Sequence, residues 1–256
     1  MHQFQIAPVA GNLDGSPFVF TNSAMWMLIV LALIWLFMLG GMRRQLVPGR
    51  WQAMVEGVTG FVESMLSTSV GPQGKKFVPW VFTIFMFILF ANMIGLMPFA
   101  LAGVHPFTVT SQFTITGILA LMSFSIVLIT GFWRHKLHFF SLFVPSGTPF
   151  LLKLLIVPIE FISFMVRPFS LAIRLFVAMI AGHILMEVFG SFIISAGDTF
   201  ASAPASGSGV MGLLVAAISF LFIAGVAALE LLVAAIQAYV FALLTTLYLN
   251  DAENLH

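Results

Sequence analysis

An all-α integral membrane protein is the fold class this sequence predicts. It would have about five membrane-crossing helices, one amphipathic helix, and a last pair of helices forming a long, strongly tilted hairpin. Three observations carry that expectation. Only 7% of the 256 residues are charged against 61% hydrophobic, where a soluble domain carries about 25% charged residues; a mean hydropathy of +1.11 says the same. Apolar runs of about 20 residues, the length that crosses a hydrocarbon core, recur along the chain. The last two apolar stretches are about twice that length. This composition excludes a globular enzyme, a nucleic-acid binder and a disordered chain, and the whole of 1–256 reads as a single membrane domain. A formal net charge of +1 gives no electrostatic basis for a nucleic-acid partner. With no cysteine there is no disulfide, iron–sulfur cluster or thiolate zinc site.

Residues 1–17 form a polar tail containing Gly11, Gly15 and Pro17 but no Lys or Arg, unlike a signal-peptide start. A first span is expected over 18–39, stopping at Gly40-Gly41 before Arg43 and Arg44. Over 50–70 the pattern changes: Val55, Val58, Phe61, Val62, Met65 and Leu66 recur at helical spacing opposite Glu56 and Glu63. That is an amphipathic helix lying on the membrane or bracing other helices. A second span covers 78–97, entered by Pro79 and ended by Pro98. A third covers 113–133 before Arg134-His135-Lys136. The long stretches are 149–190 and 209–249, joined by a Gly/Ser/Ala/Pro-rich loop containing Asp198.

Basic residues set the expected orientation. Arg43, Arg44, Arg50, Lys75 and Lys76 lie between spans one and two, and Arg134, Lys136 and Lys153 follow span three. The tail and the loops at 98–112 and 191–208 carry none. The positive-inside rule then puts the N-terminus outside and, after five crossings, the C-terminus inside. The acidic residues Asp251 and Glu253 play no part in that rule. As a straight helix, 149–190 would be about 63 Å long, twice the roughly 30 Å core, so it must lie steeply oblique. Bends near Pro158 and Pro168 are expected to shorten it. The final stretch is rich in alanine, which permits close helix approach.

Charges inside these helices are the functional candidates. Lys153, Glu160, Arg167 and Arg174 recur every seven residues, a spacing that drifts only about 20° per step around a helix. They form one polar stripe if the prolines leave the helix continuous. His183, nine residues after Arg174, faces the opposite way, and Glu187 follows one turn later. Glu230 and Gln237 repeat the seven-residue spacing in the last helix. Each charge near the midplane costs about 2.5–3.5 kcal/mol on insertion scales unless it pairs or meets water. Arginine cannot lose its proton, so a fixed cation beside exchangeable Glu and His groups suits a proton path with an electrostatic barrier. Simpler roles exist as well. Lys153 is placed to snorkel, Arg167 to pair with Glu160 or backbone carbonyls, Glu187 to sit at the interface, and His105 to serve structure beside Pro106. His135 and His138 lack the acidic neighbours a metal site needs, so neither a metal nor a cofactor is expected.

The stretch PIEFISFMVRPFSLAIRLFVAMIAGH, Pro158 to His183, resembles the signature of the subunit a family of F-type ATP synthases, of bacterial or organellar type. The matching core is Ser170-Leu171-Ala172-Ile173-Arg174-Leu175-Phe176. Asn92-Met93-Ile94-Gly95-Leu96-Met97-Pro98 and the closing Thr246-Leu247-Tyr248-Leu249 resemble the family as well. The resemblance implies a non-catalytic, proton-conducting stator subunit with two offset half-channels, working with a ring of c subunits. Peripheral-stalk b-type subunits and the F1 sector would be further partners, in an energy-coupling membrane such as the bacterial inner membrane. It further implies that Arg174 keeps the ring carboxylate ionised and blocks leak, with Gln237 near it. Glu230 and His183 would serve the outer half-channel and Glu160 the inner one. One departure is Ala178, where many relatives carry Asn. The alternative is a self-contained proton-coupled transporter or channel, which would show repeated halves with broken helices; no internal repeat is evident. A structural scaffold would leave the buried charges unexplained. No nucleotide-binding loop is present.

Overall fold

The computed structural model describes residues 8–10, 20–42, 49–97, 108–136, 139, 149–202 and 206–253. Arg43, Arg44, His105, His138 and most of the N-terminal tail lie outside them. The fold is all-α, with five helices long and apolar enough to cross a membrane. A small antiparallel ribbon, β1 (Pro8–Ala10) with β2 (Phe20–Thr21), precedes them.

Helix α1 (Asn22–Gly41) starts where the Thr21 hydroxyl accepts the Ala24 N–H at 3.4 Å. Its apolar residues run all the way round, and Trp35, Leu36 and Leu39 remain exposed, as expected of a helix solvated by lipid. Helix α2 (Arg50–Ser69) buries Val55, Val62, Met65 and Leu66 while Glu56 and Glu63 face outward. α1 ends at Gly41, at the expected Gly40-Gly41 stop, and the two glycines serve packing as well: a Cβ at either would collide with Trp51 or Val55 of α2. The Trp51 indole donates to the Phe37 carbonyl at 2.9 Å across that contact.

A short 3-10 turn (Pro72–Phe77) leads into α3 (Val78–Leu96), and a second turn (Val109–Ser111) leads into α4 (Phe113–His135). Then come α5 (Phe150–Ser202) and α6 (Gly207–Glu253). The core lies where α3, α4, α5 and α6 meet. Ile84 and Ile88, Val127, Leu175 and Met179, and the small-residue face Ala234, Ala238 and Ala242 close it. Those alanines let the neighbouring backbones approach.

One expectation needs correction. The segment 191–202 is not a loop: α5 continues through Asp198 to Ser202, and the connection to α6 is correspondingly short. The cause is packing, since Ala196 is buried and a Cβ at Gly212 of α6 would press on the Ala196 carbonyl at 2.9 Å. Pro158 and Pro168 both lie inside α5, which is one continuous helix. At 53 and 47 residues, α5 and α6 are about 80 and 70 Å long, more than twice the hydrocarbon thickness. Both must cross obliquely.

Candidate functional site

The pairing of α5 with α6 determines which side chains meet. The helices are antiparallel: Phe189 stacks on Phe222 with ring centroids 5.2 Å apart, Gly182 lies against Glu230, and Arg167 meets Asp251. Between the last two pairs, this register brings Arg174 and Gln237 to the same level of the hairpin within about one helical turn.

A buried polar cluster occupies one level. His183 and Glu230 are 8% and 2% exposed, and the imidazole Nε2 lies 3.9 Å from a Glu230 carboxylate oxygen. Gly182 makes this possible, because a Cβ there would overlap the Glu230 carboxyl group. The same Nε2 shares a 2.6 Å hydrogen bond with the Thr108 hydroxyl. Thr110, two residues on, donates to the Asn92 side-chain carbonyl at 2.6 Å, and the Asn92 amide donates to the Ala234 carbonyl at 3.3 Å. Asn92 thus has both ends of its amide satisfied while fully buried, which is what a buried amide requires. Imidazole and carboxyl both exchange protons, and at 3.9 Å they stand just beyond hydrogen-bond distance, so a transfer between them needs a closer approach or one bridging water.

Arg174 is placed differently. Its neighbours Leu171, Ala172 and Leu175 are buried in the bundle, whereas Arg174 itself is exposed on the outer face of α5. It makes no ion pair among the described residues. His183, nine residues on, is turned inward by half a revolution and lies about 14 Å further along the helix axis. Glu160 is half-buried and lies about 21 Å from Arg174 in the opposite direction. Gln237 is half-buried, while Glu187 is exposed one turn beyond His183.

Arg167 does not pair with Glu160, which lies about 10 Å away along the same helix. Its guanidinium reaches Asp251 at 2.7 Å and sits over the Phe164 and Tyr248 rings at 5.4 and 4.9 Å. Nearby, the Glu253 side chain is wholly buried and binds Lys76 at 2.8 Å and also Arg134. The His135 ring bonds the Glu253 backbone carbonyl at 3.2 Å. The end of α6 is thereby fastened to the turn before α3 and to the end of α4. No group of three or more His, Cys, Asp or Glu residues able to hold a metal occurs among the described residues.

Residues not singled out from sequence are therefore Thr108, Thr110, Gly182, Asp251 and Glu253, with Asn92 noted only within a motif. Asn92 and Thr83 are the polar side chains of α3, and a lone amide in an apolar span was the available signal.

The ATP synthase A chain family matches residues 23–250. The chain is 57% identical to ATP synthase subunit a of Sphingopyxis alaskensis over 258 residues, covering all of this chain and 96% of that one. It is 58% identical to the subunit a of Erythrobacter litoralis, again over all of this chain and 96% of the relative. The subunit a of Zymomonas mobilis is 55% identical, with 100% and 97% covered. A family match spanning nearly the whole chain replaces the self-contained transporter and scaffold alternatives. The chain belongs to the family of ATP synthase subunit a, the non-catalytic proton-channel subunit of the Fo membrane sector in the bacterial inner membrane.

Proposed function

We propose that this subunit conducts protons through two half-channels that end at different depths on either side of Arg174. The observation that carries the proposal is the opposed placement of Arg174 and His183 on one continuous helix. The arginine is exposed on the outer face of α5, and the histidine is buried against Glu230. A cation that cannot be neutralised is too costly to leave facing hydrocarbon. Its partner is a carboxylate on the c-subunit ring, passing across the exposed face of α5. Arg174 holds that carboxylate ionised as it passes, and a fixed positive charge between the two paths repels a proton taking the direct route. Gln237, at the same level on α6, helps to hold the guanidinium in place.

His183 and Glu230 hand protons to the ring from the outer side, with Glu187 a minor contributor near that end. Glu160 receives them on the inner side. Peripheral-stalk b-type subunits hold the chain against the turning ring and connect it to the catalytic sector. The N-terminus lies outside and the C-terminus inside. Lys76 and Arg134 meet Glu253 at one end of the bundle, which gathers the basic residues at the inner end, opposite the Thr108–His183 cluster.

Because the chain has no cysteine of its own, an introduced one supplies this subunit's sole thiol, and labelling is read on this subunit. In the assembled complex, Glu160→Cys is expected to react with a membrane-impermeant thiol reagent from the inner side alone. His183→Cys is expected to react from the outer side alone. Reaction of both from the same side would contradict the two-path proposal.

A further inference from the structure

We propose that the Thr108 hydroxyl is a member of the outer proton relay, carrying protons to the Nε2 atom of His183. This rests on the proposal that the His183–Glu230 pair serves the outer path. Three features of the cluster support it. The Thr108 oxygen is 2.6 Å from Nε2, the same nitrogen that faces Glu230 at 3.9 Å. Thr108 is itself 5% exposed, so its hydroxyl belongs to the interior of the cluster.

The surrounding chain is built to hold it there. Gly95 of α3 lies so close that a Cβ would collide with the Thr108 side chain. The Ser111 hydroxyl donates to the Thr108 carbonyl at 2.6 Å, and Thr110 is tied to Asn92. Asn92 in turn is tied to the Ala234 carbonyl, one turn beyond Glu230. The turn before α4 is thus fastened to α3 and to the part of α6 that carries Glu230.

A hydroxyl both donates and accepts. It can therefore satisfy Nε2 in either state, donating to the lone pair of a neutral ring and accepting from the N–H of a charged one. Valine would fill the same volume and do neither. The transfer balances without any other reagent. A hydronium ion on the outer side gives its excess proton to the Thr108 oxygen as Thr108 releases its own proton to Nε2, which leaves a water, regenerates the hydroxyl and forms an imidazolium. The imidazolium then closes the 3.9 Å gap to Glu230, passes its Nε2 proton to the carboxylate, and the hydroxyl rotates back to donate to the neutral ring. Thr108 acts as a conduit and is unchanged by each passage.

The test compares Thr108→Val, Thr108→Ala, Thr108→Ser and His183→Ala in the whole ATP synthase in membrane vesicles. ATP-driven proton pumping is measured per assembled complex. Loss of this hydrogen bond is expected to slow pumping about tenfold in the Val and Ala variants. Serine is expected to restore it to within about twofold, a recovery that a packing role for the threonine methyl would not give. Normal pumping by either hydroxyl-free variant, or a serine variant as slow as valine, overturns the relay. If His183→Ala remains slow in that case, the outer path survives without Thr108. If His183→Ala also pumps normally, the outer-path proposal falls and the relay with it.

Discussion

The Glu230 carboxyl group of α6 rests directly against the backbone of Gly182 in α5, one residue before the imidazole that faces it. The smallest residue stands where two helices and a buried acid converge. Gly182→Ala is expected to push Glu230 out of register with His183. Overpacking of this kind costs about 1–3 kcal/mol, and here it falls on the proposed proton pair as well as on the fold. ATP synthesis per assembled complex should drop at least severalfold, more steeply for Gly182→Val. Unchanged synthesis in the valine variant would show that the close approach is incidental.

The Arg167–Asp251 pair lies between Glu160 and Arg174 along the stripe. With side chains 23% and 39% exposed, its stabilisation is partly screened, and a coupling energy of about 1 kcal/mol is reasonable. Asp251→Asn leaves the guanidinium uncompensated on the proposed inner route and should slow proton release. Arg167→Gln in the same chain should recover part of the loss, because the charge goes with its partner. A double-mutant cycle on pumping rate measures this, and strictly additive effects would deny the pair any joint role.

Glu253 fastens the end of the bundle at which Lys76 and Arg134 meet it. Its side chain is fully buried while Lys76 and Arg134 are 52% and 39% exposed. Removing a buried charge that two cations share is strongly destabilising, on the order of 3 kcal/mol when the partners stay behind. Glu253→Gln should lower the yield and thermal stability of the assembled complex. Lys76→Met should do so less, since Arg134 remains in place. Equal yields across these variants would count against the clamp.

How legible this molecule was from sequence varied with the length scale of the interaction. Hydropathy fixes a membrane helix because every residue of the run contributes to it, and the all-α class follows. The nine-residue step from Arg174 to His183 places them on opposite faces by helix geometry alone, and the exposure of one and the burial of the other agree with that. Where α5 ends was less legible. Gly197 and Asp198 suggest a loop locally, but packing of Ala196 against α6 carries the helix on to Ser202. Partners across the bundle were least legible of all. Thr108 meets His183 over 75 positions and Arg167 meets Asp251 over 84, and no periodicity in one segment encodes such a pairing. The acidic residues near the C-terminus gave no orientation signal by the positive-inside rule, yet in the structure they bind three basic side chains.

The central claim is that Arg174 separates two proton paths at the ring. Substituting Arg174→Ala in the otherwise intact complex, with ATP synthesis and passive proton conduction through Fo measured in the same vesicles, addresses it most directly. Coupled synthesis should be abolished while passive conduction persists or rises, because the paths remain and the barrier between them is gone. Near-normal coupled synthesis without the guanidinium would contradict the role assigned to Arg174.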